Sequence, residues 1–576
     1  MPSGGPVLPS SVTQGTDTQN QPYVQIQPQP PGAGWSPKEI VQGFLTASAS
    51  YGTYPQVAKE YLTPTEQQAW NPLWSAVVYK SGPDATERGA PPTAKDATAT
   101  VGIAGTIQAK LQGNGTYSVP SSTPGSFDPP QSFTLAKVGG QWRISFAPQE
   151  LLLTSDSFNH DYQLRNLYFF DPMTKFLVPD PVYVPVLNNS GVLMVGLVNE
   201  LISPPGDWLS NGATKTAFPP KTNVSSVTLD GVTAVVNLTG AAIGKAEANN
   251  ATMEQISAQL LWTLAPSDSN GQGVQPVEVV VNGKQWIPPD GQNNPVQHTP
   301  GWKPAYGGAK EFYYVASNGY LTSCSTNGGK LTSVAKIGTG YSQIAISPDG
   351  EYLAALRDGT LYTGLIDGPL TKRGTGFTAM SWDPSDDLWA SLGTQIDMFR
   401  STTDSRQPLG QVIQVDVGLP FTGLQIAPDG VRVALVINGN ELTFGAISWP
   451  SKQHPRISLS QIVEAPSTQG QSVSASVGFK ALSWYGPDYV ITLAEPTAGT
   501  GATTGPFVTE YPVSGGASTP IQAVAHMDTI AASWGQPLIA GLTKGGMMTD
   551  PSITGSWTLV SNGNTPAKGS SPTYPG

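Results

Sequence analysis

Charged residues and cysteines are scarce in this sequence. Asp, Glu, Lys and Arg account for 12% of its 576 residues, and 40 acidic against 29 basic residues give a net charge of −11. Proteins that bind nucleic acid or anionic lipid surfaces use clustered Lys and Arg, so the composition argues against both classes. The lone cysteine, Cys324, excludes an internal disulfide and a cysteine-based metal cluster.

Long apolar runs are absent as well. No stretch approaches the ~18 consecutive apolar residues that predict a transmembrane helix. The opening segment (MPSGGPVLPSSVTQG) contains neither the basic region nor the apolar region of a secretory leader. The sequence by itself therefore predicts no targeting segment.

Glycine, proline and aromatic residues are abundant instead. The chain has 64 Gly and 53 Pro, and its 38% apolar residues include 14 Trp, 20 Tyr and 16 Phe. This apolar content is enough to bury several cores, which excludes a wholly disordered chain. Many turn formers with few charges favour a β-rich protein that works outside the cytosol.

The first half of the chain divides into a tether and two predicted α+β domains. Residues 1–34 are rich in Pro, Gly, Gln and Ser and predict a flexible tether. Residues 35–150 open with two capping boxes, at Ser36 and Thr63, and continue with strands and a Gly-Gly hairpin. This order predicts an NTF2-like or cystatin-like domain.

Residues 161–285 predict the second α+β domain. An Asp-Gly turn joins two alternating strands around Asp230, and a capping box at Thr252 predicts the start of a helix. The other predicted elements are strands at Leu167–Phe170, Val182–Val186 and Val277–Val281, and a helix at Val192–Ile202.

The second half of the chain predicts an all-β propeller. After a linker at 286–304, residues 305–563 repeat a unit of strand, Pro-Asp-type turn and strand. The turn prolines Pro348, Pro384, Pro428 and Pro487 lie 36, 44 and 59 residues apart, which brackets the period of propeller blades. About six blades are predicted, with five or seven as alternatives. Residues 564–576 predict a flexible tail, unless part of them closes the last blade.

The search for catalytic and metal sites selects no residue. The histidines His160, His298, His454 and His526 lie far apart, which does not support a zinc site. The segment from Gly240 to Lys245 is one residue too short for a phosphate loop, and the polar segment at 268–279 lacks the final glutamate of a calcium-binding loop. We therefore predict no catalytic residue, no metal ligand and no cofactor.

The aspartates and tryptophans of the propeller repeats can each be interpreted in two ways. Aspartates near the Pro-Asp turns suit backbone hydrogen bonding in tight turns, and paired carboxylates would also suit a glycosidase. Tryptophans on the repeat strands predict packing between blades, with a carbohydrate platform as the alternative. These residues are Asp349, Asp383, Asp386, Asp387, Asp429, Asp488, Trp382, Trp389 and Trp484.

The order of the three domains resembles one known family. The middle unit resembles a GerMN domain through the segments Asn166–Phe170, Val192–Pro205, Ala217–Pro220, Val227–Leu238, Met253–Leu264 and Val277–Lys284. A GerMN unit between an α+β domain and a Pro-Asp propeller looks like the LpqB family of actinobacterial lipoproteins. Ser36–Leu45 and Tyr61–Trp70 are also similar to that family. The expected fold class is thus two α+β domains, NTF2-like or cystatin-like and then GerMN, followed by a propeller.

The resemblance implies a function. LpqB proteins are envelope lipoproteins thought to bind the extracellular part of the sensor histidine kinase MtrB and to modulate two-component signalling in cell-wall homeostasis and division. It also implies a lipidated cysteine, and Met1 stands where that cysteine is expected, before a segment that looks like a mature start. We expect the signal peptide and cysteine to precede this chain; a member without a lipid anchor is the alternative.

Two other functions stay open from the sequence. One is a propeller hydrolase that acts on cell-wall glycan or a lactone, with carboxylates or histidines gathered at the mouth of the channel. The other is a passive peptidoglycan-binding protein. For any binding function, the propeller loops and the GerMN face are both candidate surfaces.

Overall fold

The computed structural model describes most of the chain. The described residues are 28–49, 55–72, 75–88, 92–93, 95–119, 132–187, 190–265, 276–289, 294–299, 301–305, 308–326, 330–401, 409–451, 454–464, 477–496, 505–562 and 565–576. They fall into two compact units. The first comprises the described residues up to 115 with 132–163 and 183–187, and the second comprises 116–119, 164–182 and everything from 190 onward.

The first unit is the predicted α+β domain. Three helices precede a sheet whose strands lie in the order β5-β4-β2-β1-β6, with only the β1–β6 pair parallel. The elements in this part of the chain are α1 (Pro37–Ala49), α2 (Pro55–Glu60), α3 (Pro64–Ala69), β1 (Ala76–Glu87), β2 (Thr98–Leu111), β3 (Tyr117–Ser118), β4 (Ser132–Val138), β5 (Gln141–Phe146), β6 (Leu151–Thr154) and α4 (Ser155–Asp161). All but β3, which is assigned to the second unit, belong to the first unit.

The two predicted capping boxes form differently. At α1, the Ser36 backbone N–H donates to the Glu39 carboxylate (2.7 Å) and Ser36 Oγ accepts from the Glu39 N–H, as a full capping box requires. At α3, Thr63 Oγ1 accepts from the N–H of Glu66, but the Glu66 carboxylate accepts from the backbone of Ala147 instead. The second box therefore anchors the helix to the sheet.

The second unit begins with the middle α+β region. Its sheet has the order β12-β11-β10-β9, in which β9 and β10 form the predicted hairpin and β10 pairs in parallel with β11. The elements are β7 (Tyr162–Phe170), β8 (Leu177–Pro185), α5 (Ser190–Ile202), β9 (Asn223–Asp230), β10 (Thr233–Thr239), α6 (Ala241–Ala246), α7 (Asn250–Thr263), β11 (Val277–Val281) and β12 (Lys284–Gln285).

The predicted start of α7 was wrong by three residues. The helix is capped by Asn249, whose side chain accepts from the backbone N–H of Thr252 at 3.2 Å. Thr252 therefore lies inside the first turn rather than at the cap. Asn is as strong a cap as Ser or Thr, and an N-cap acts through its side-chain oxygen in the same way.

The propeller contains six four-stranded sheets in the part of the chain that the structure describes. Their strands in chain order are β13 (Glu311–Ala316), β14 (Tyr320–Ser325), β15 (Leu331–Lys336), β16 (Gln343–Ile346), β17 (Tyr352–Arg357), β18 (Thr360–Leu365), β19 (Thr371–Thr375), β20 (Met380–Trp382), β21 (Leu388–Leu392), β22 (Gln395–Ser401), β23 (Leu409–Asp416), β24 (Phe421–Ile426), β25 (Arg432–Ile437), β26 (Glu441–Ser451), β27 (His454–Glu464), β28 (Val477–Tyr485), β29 (Tyr489–Pro496), β30 (Phe507–Pro512), β31 (Thr519–Ile521), β32 (Met527–Ala531), β33 (Leu538–Leu542), β34 (Met547–Asp550), β35 (Thr558–Leu559), β36 (Ser561–Asn562), β37 (Thr565–Pro566) and β38 (Gly569–Thr573).

The ring closes through its last strand. Five blades are formed by consecutive strands, whereas the remaining sheet has the order β15-β14-β13-β38 and joins the two ends of the propeller. The prediction of a flexible tail at 564–576 was therefore wrong over β38. The alternative prediction, that part of the tail closes the last blade, was also inaccurate, because β38 completes the sheet of the first blade.

Apolar clusters fill the space between successive blades. One cluster joins Trp389 and Met398 to Leu424 and Leu435 of the following blade, and similar clusters recur around the ring. No helix in the described part of the chain is both long enough and apolar enough to span a membrane.

The buried carboxyl of Glu510 in β30 leads to a stability prediction. Glu510 is 6% exposed, and burial raises its pKa to about 7. In the folded protein the carboxyl holds its proton up to neutral pH, whereas in the unfolded chain it ionises near pH 4 to 5. Folding stability therefore falls as the pH rises through this interval.

We expect Glu510→Gln to stabilise the protein at pH 8 by about 1–3 kcal/mol and to change little at pH 4. Urea unfolding at the two pH values measures this difference. Glu351→Gln, at an exposed carboxylate of the same propeller, is the control and should change stability by less than about 0.5 kcal/mol at either pH. Equal effects of Glu510→Gln at both pH values would contradict the prediction.

Candidate functional site

The innermost strands of the six blades surround a central channel. These strands are β38, β16, β20, β24, β28 and β32, and each contacts the next around the ring. The channel has a volume of about 230 Å³. Among the described residues its lining is mostly Ser, Thr, Ala, Gly, Leu and Ile, with Lys480 as the one charged side chain and no Asp, Glu or His side chain.

A larger cavity of about 830 Å³ lies where the innermost strands end. Ile426 and Trp484, close to the carboxyl ends of their strands, line it together with the turn prolines Pro348, Pro384 and Pro428. Phe176 and Trp262 of the middle region and the segment around Lys303–Glu311 complete the wall. The cavity and the channel share Trp382, Gln425, Ser483, Ala532 and Gly576, so the two spaces adjoin.

The aspartates of the Pro-Asp turns mainly hold the turns. Asp383 accepts from the backbone N–H groups of Ser385 (2.8 Å) and Asp387 (3.1 Å) and from Trp389 Nε1 (2.9 Å). Burial, with a contribution from the Asp387 charge, raises the pKa of Asp383 to about 7. These three hydrogen bonds, two of them from the backbone of the turn itself, hold Asp383 in place, so the turn interpretation is confirmed at Asp383.

The other turn aspartates act in related ways. Asp429 accepts from the backbone N–H groups of Val431 and Arg432, and Asp349 accepts from the N–H of Glu351. Asp386 accepts from the N–H of Asp349, and its pKa is raised to about 6 by burial and by the neighbouring Asp349 charge.

The three tryptophans of the repeat strands are buried between blades, as predicted. Trp382, Trp389 and Trp484 are 2%, 1% and 5% exposed and belong to three different interblade clusters. Trp389 donates to Asp383, and Trp484 Nε1 donates to the carbonyl of Gln425 (3.1 Å). Trp382 Nε1 has no hydrogen-bond partner among the described residues, and Trp382 lines both the cavity and the channel.

A buried polar cluster that was not predicted from the sequence joins the middle region to the propeller. Arg432 Nε donates to Asp429 Oδ2 at 2.7 Å with both side chains 1% exposed, and Arg432 also donates to the carbonyl of Pro487. From the middle region, Asp180 accepts from Gly206 N–H and Trp208 Nε1. The available sequence signal was Arg432, a charged residue within the otherwise apolar segment 431–437, where a buried ion pair could be expected.

The charges of this cluster act on one another. Burial raises the pKa of Asp180 to about 6, against the lowering effects of its hydrogen bonds and of Arg432. Burial also raises the pKa of Asp488, against its bond with Asn166 and the Arg432 charge. Arg432 is thus the cation that faces three buried carboxyls, those of Asp180, Asp429 and Asp488.

The remaining residues considered from the sequence do not form a site. Cys324 is buried, and burial raises the pKa of its thiol to about 11. His160 Nδ1 lies 2.8 Å from the carboxylate of its neighbour Asp161. Gly240 precedes the six-residue helix α6, and the polar segment at 268–273 lies outside the described residues. No group of three or more His, Cys, Asp or Glu residues suited to a metal ion occurs within the described ranges.

Comparison with known families identifies all three regions. The model described as "Lipoprotein LpqB, N-terminal domain" matches residues 30–159, and "Lipoprotein LpqB beta-propeller domain" matches 319–575. The model described as "Sporulation and spore germination" matches residues 166–286 between them. The two LpqB models together match more than half of the chain.

Three similar proteins share the name "Lipoprotein LpqB". Proteins named "Lipoprotein LpqB" are 26% identical in Thermobifida fusca, over 100% of this chain and 96% of the relative, and 27% identical in Streptomyces avermitilis, over 87% and 84%. The protein of that name in Mycobacterium leprae is 26% identical over 85% and 83%. Among solved structures, the Cps50 (Swd1) β-propeller domain of Myceliophteria thermophila has a TM-score of 0.27 at 14% identity, over 37% of this chain and 65% of that chain.

Proposed function

The chain belongs to the LpqB family of lipoproteins, and from this premise we propose that it is a non-enzymatic binding protein of the cell envelope. Its partner in this proposal is the extracellular domain of an MtrB-like sensor histidine kinase, whose two-component signalling it modulates in cell-wall homeostasis and division. An N-terminal lipid anchor would hold it at the membrane.

The observation that carries a protein-binding role is the exposed apolar tip of the β9–β10 hairpin. Val232 is 75% exposed and Leu229 is 44% exposed, and β9 is the last strand of its sheet. Large apolar side chains that share one exposed turn are typical of a surface that a protein partner covers. A strand at the end of a sheet can also pair with an extended segment of a partner.

The channel supports binding rather than hydrolysis. Its described lining has no carboxylate or imidazole side chain, and the aspartates at its wide mouth, Asp349 and Asp383, already accept hydrogen bonds of the turns. A hydrolase needs an acid and a base with free atoms at the site. The described lining of the channel therefore supports the binding proposal over a glycan hydrolase or lactonase.

A binding experiment with the kinase extracellular domain tests the proposal. We expect the purified protein to bind with a dissociation constant well below ~100 μM, which corresponds to a binding free energy more favourable than about −5.5 kcal/mol. The double variant Leu229→Asp, Val232→Asp should weaken binding at least tenfold, because two charges replace apolar contacts at the interface.

The matched control is Leu419→Asp, which changes an exposed leucine (42%) in the propeller and should leave the affinity unchanged. Absence of binding by the wild-type protein at ~100 μM would count against a kinase partner. Equal binding by the wild type, the double variant and Leu419→Asp would support the kinase as the partner but contradict the hairpin as the binding surface. Sedimentation with purified sacculi separates kinase binding from passive binding to peptidoglycan.

A further inference from the structure

We propose that the packing of the middle region on the propeller depends on a proton: the two regions are held tightly while the buried carboxyl of Asp180 is protonated, and they loosen when it ionises. Asp180 lies in β8 of the middle region and is 2% exposed. Both regions belong to one compact unit. The inference is independent of the kinase partner, because it concerns packing within this chain.

The apolar part of the contact between the two regions is small. Its buried cluster consists of Val178, Leu209 and Ala213 from the middle region with Val431 and Ala446 from the propeller. The cluster between the third and fourth blades, by comparison, has twelve buried residues. A contact with few buried apolar side chains opens more easily than the core beside it, so charges buried in it can decide whether it holds.

The Asp180 carboxylate is closely enclosed. It accepts hydrogen bonds from the Gly206 N–H (2.7 Å) and from Trp208 Nε1 (3.3 Å), which both belong to the middle region. A Cβ atom at Gly206 would lie 3.3 Å from both carboxylate oxygens. On the side of the propeller, the charged group that acts on Asp180 is the Arg432 guanidinium. Opening of the contact would admit water to the side of the carboxyl that faces Arg432.

The charges buried at this contact do not balance. Among the described residues one cation, the Arg432 guanidinium, faces three carboxyls, those of Asp180, Asp429 and Asp488. Arg432 already donates to Asp429 at 2.7 Å, and the group that bonds to Asp488 is the neutral Asn166. With all three carboxyls ionised, two negative charges would lack a cation in a buried place. Such charges are costly unless the groups take up protons.

The direction of the pH effect follows from the difference between the closed and the open contact. Burial raises the pKa of Asp180 to about 6, whereas a carboxyl in water has a pKa of about 4. The closed contact therefore binds the proton more tightly, and it loses stability as the pH rises from about 4 to about 6. Burial also raises the pKa of Asp488, which adds a loss in the same direction. Acid tightens the contact, and neutral pH loosens it.

The contact also positions two surfaces of the molecule. Phe176 and Trp262 of the middle region form part of the wall of the 830 Å³ cavity. When the contact opens, this part of the wall moves away from the propeller and the cavity widens. The exposed hairpin that contains Val232 belongs to the same region, so it is held less firmly relative to the propeller. The pH thus regulates how the cavity and the hairpin are presented.

Hydrogen exchange of the intact chain, followed by mass spectrometry at pH 4.5 and pH 7, tests the proposal. After correction for intrinsic exchange rates, we expect segment 206–213 to be at least about tenfold less protected at pH 7. A pKa of about 6 in the closed contact against about 4 in the open contact shifts the opening equilibrium by that factor. At pH 7 the segment should also be about tenfold less protected than β17 of the second blade, because the contact opens while the propeller stays folded.

Three variants test the cause of the pH effect. Asp180→Asn keeps an acceptor oxygen for the Gly206 N–H but does not ionise, so the effect at 206–213 should fall to about threefold or less. Asp207→Asn is the matched control, because Asp207 is an exposed carboxylate of the same segment, and it should keep the full effect. If Asp180→Asn does not fold, Asp488→Asn removes the other carboxyl with a raised pKa and should reduce the effect at 206–213.

Three results would overturn the proposal. They are equal protection of 206–213 in the wild type at the two pH values, an undiminished pH effect in Asp180→Asn, and equal protection of 206–213 and β17 at pH 7. The last result would show that the contact opens only when the whole unit unfolds. Kinase binding can succeed or fail in each case, because the exchange experiment uses this chain alone.

Discussion

Replacing Arg432 by methionine is expected to lower the free energy of unfolding by about 3–5 kcal/mol at pH 8. The guanidinium is 1% exposed and lies 2.7 Å from the Asp429 carboxylate. It also lies over the Trp484 ring, 5.2 Å from the ring centre. Methionine fills much of the volume, so the loss arises from the buried carboxyls that no longer have their cation. Denaturant unfolding followed by tryptophan fluorescence measures it.

The effect of this substitution should depend on pH. Burial already raises the pKa of Asp180 to about 6, and Arg432 opposes that rise. Without Arg432 the pKa in the folded protein rises further, so the carboxyl is neutral at pH 5 and the penalty is small. Above pH 6, Asp180 is ionised in the unfolded chain, where water solvates its charge. In the folded variant the same carboxyl must either stay protonated or ionise without its cation, and both lower the free energy of unfolding. We therefore expect a smaller loss at pH 5 than at pH 8.

Two further variants test the cause. Arg432→Met with Asp429→Asn removes both members of the pair and should be more stable than Arg432→Met alone, because one uncompensated charge is gone. Arg400→Met breaks the 3.6 Å pair with Asp387 and should cost about 1 kcal/mol or less, because Arg400 is 36% exposed and the buried Asp387 carboxyl keeps its hydrogen bond from the Ser401 N–H. Equal losses at Arg400 and Arg432 would contradict the role of burial.

The same cluster shows what the sequence could and could not reveal. The Pro-Asp-Gly turns were predictable because Gly at positive φ and Asp bonded to following N–H groups have local signatures, as at Gly430 (φ 73°) and Asp429. The electrostatic interaction of Asp180 with Arg432 joins positions about 250 residues apart. No local pattern carries that information.

The residues that line the cavity could likewise be predicted only in part. Its Trp382 and Trp484 were noted on the repeat strands, and their burial between blades was predicted. That Phe176 and Trp262 of the middle region line the same cavity depends on how that region packs on the propeller. The missing partner of Trp382 Nε1 is likewise a property of three-dimensional packing. The cavity was therefore recognisable only in the structure, although two of its tryptophans were already noted in the sequence.

The propeller tail shows how composition can mislead. The segment GNTPAKGSSPTYPG has the Gly, Pro and Ser content of a flexible end, yet β38 pairs with β13 and forms part of the innermost ring. Its side chains bind both neighbouring blades: Ser571 Oγ donates to the carbonyl of Tyr341 (2.8 Å), and Tyr574 Oη donates to that of Pro537 (2.7 Å). These partners lie far away along the chain, and pairing over such a separation overrides local preference.

Deletion of residues 567–576 should therefore abolish the cooperative unfolding of the propeller. Without β38, strand β13 has an unpaired edge, and Phe312 and Tyr314, which are 2% exposed in the intact protein, lose the contacts of Tyr574 and Ala567 in their cluster. The first and sixth blades would then lose the strand that packs between them, and an open edge with apolar side chains is prone to aggregate. Thermal unfolding followed by near-ultraviolet circular dichroism, with size-exclusion chromatography, measures this outcome.

The control for the deletion is Tyr574→Phe, which removes one hydrogen bond from the same segment and should cost about 1 kcal/mol without loss of cooperativity. A synthetic peptide of residues 567–576 should restore the near-ultraviolet signal of the deleted chain, because the pairing site on β13 is otherwise complete. A deleted chain that unfolds cooperatively within a few degrees of the intact protein would show that closure by β38 does not stabilise the ring. The six blades would then have to be held by the interblade clusters alone.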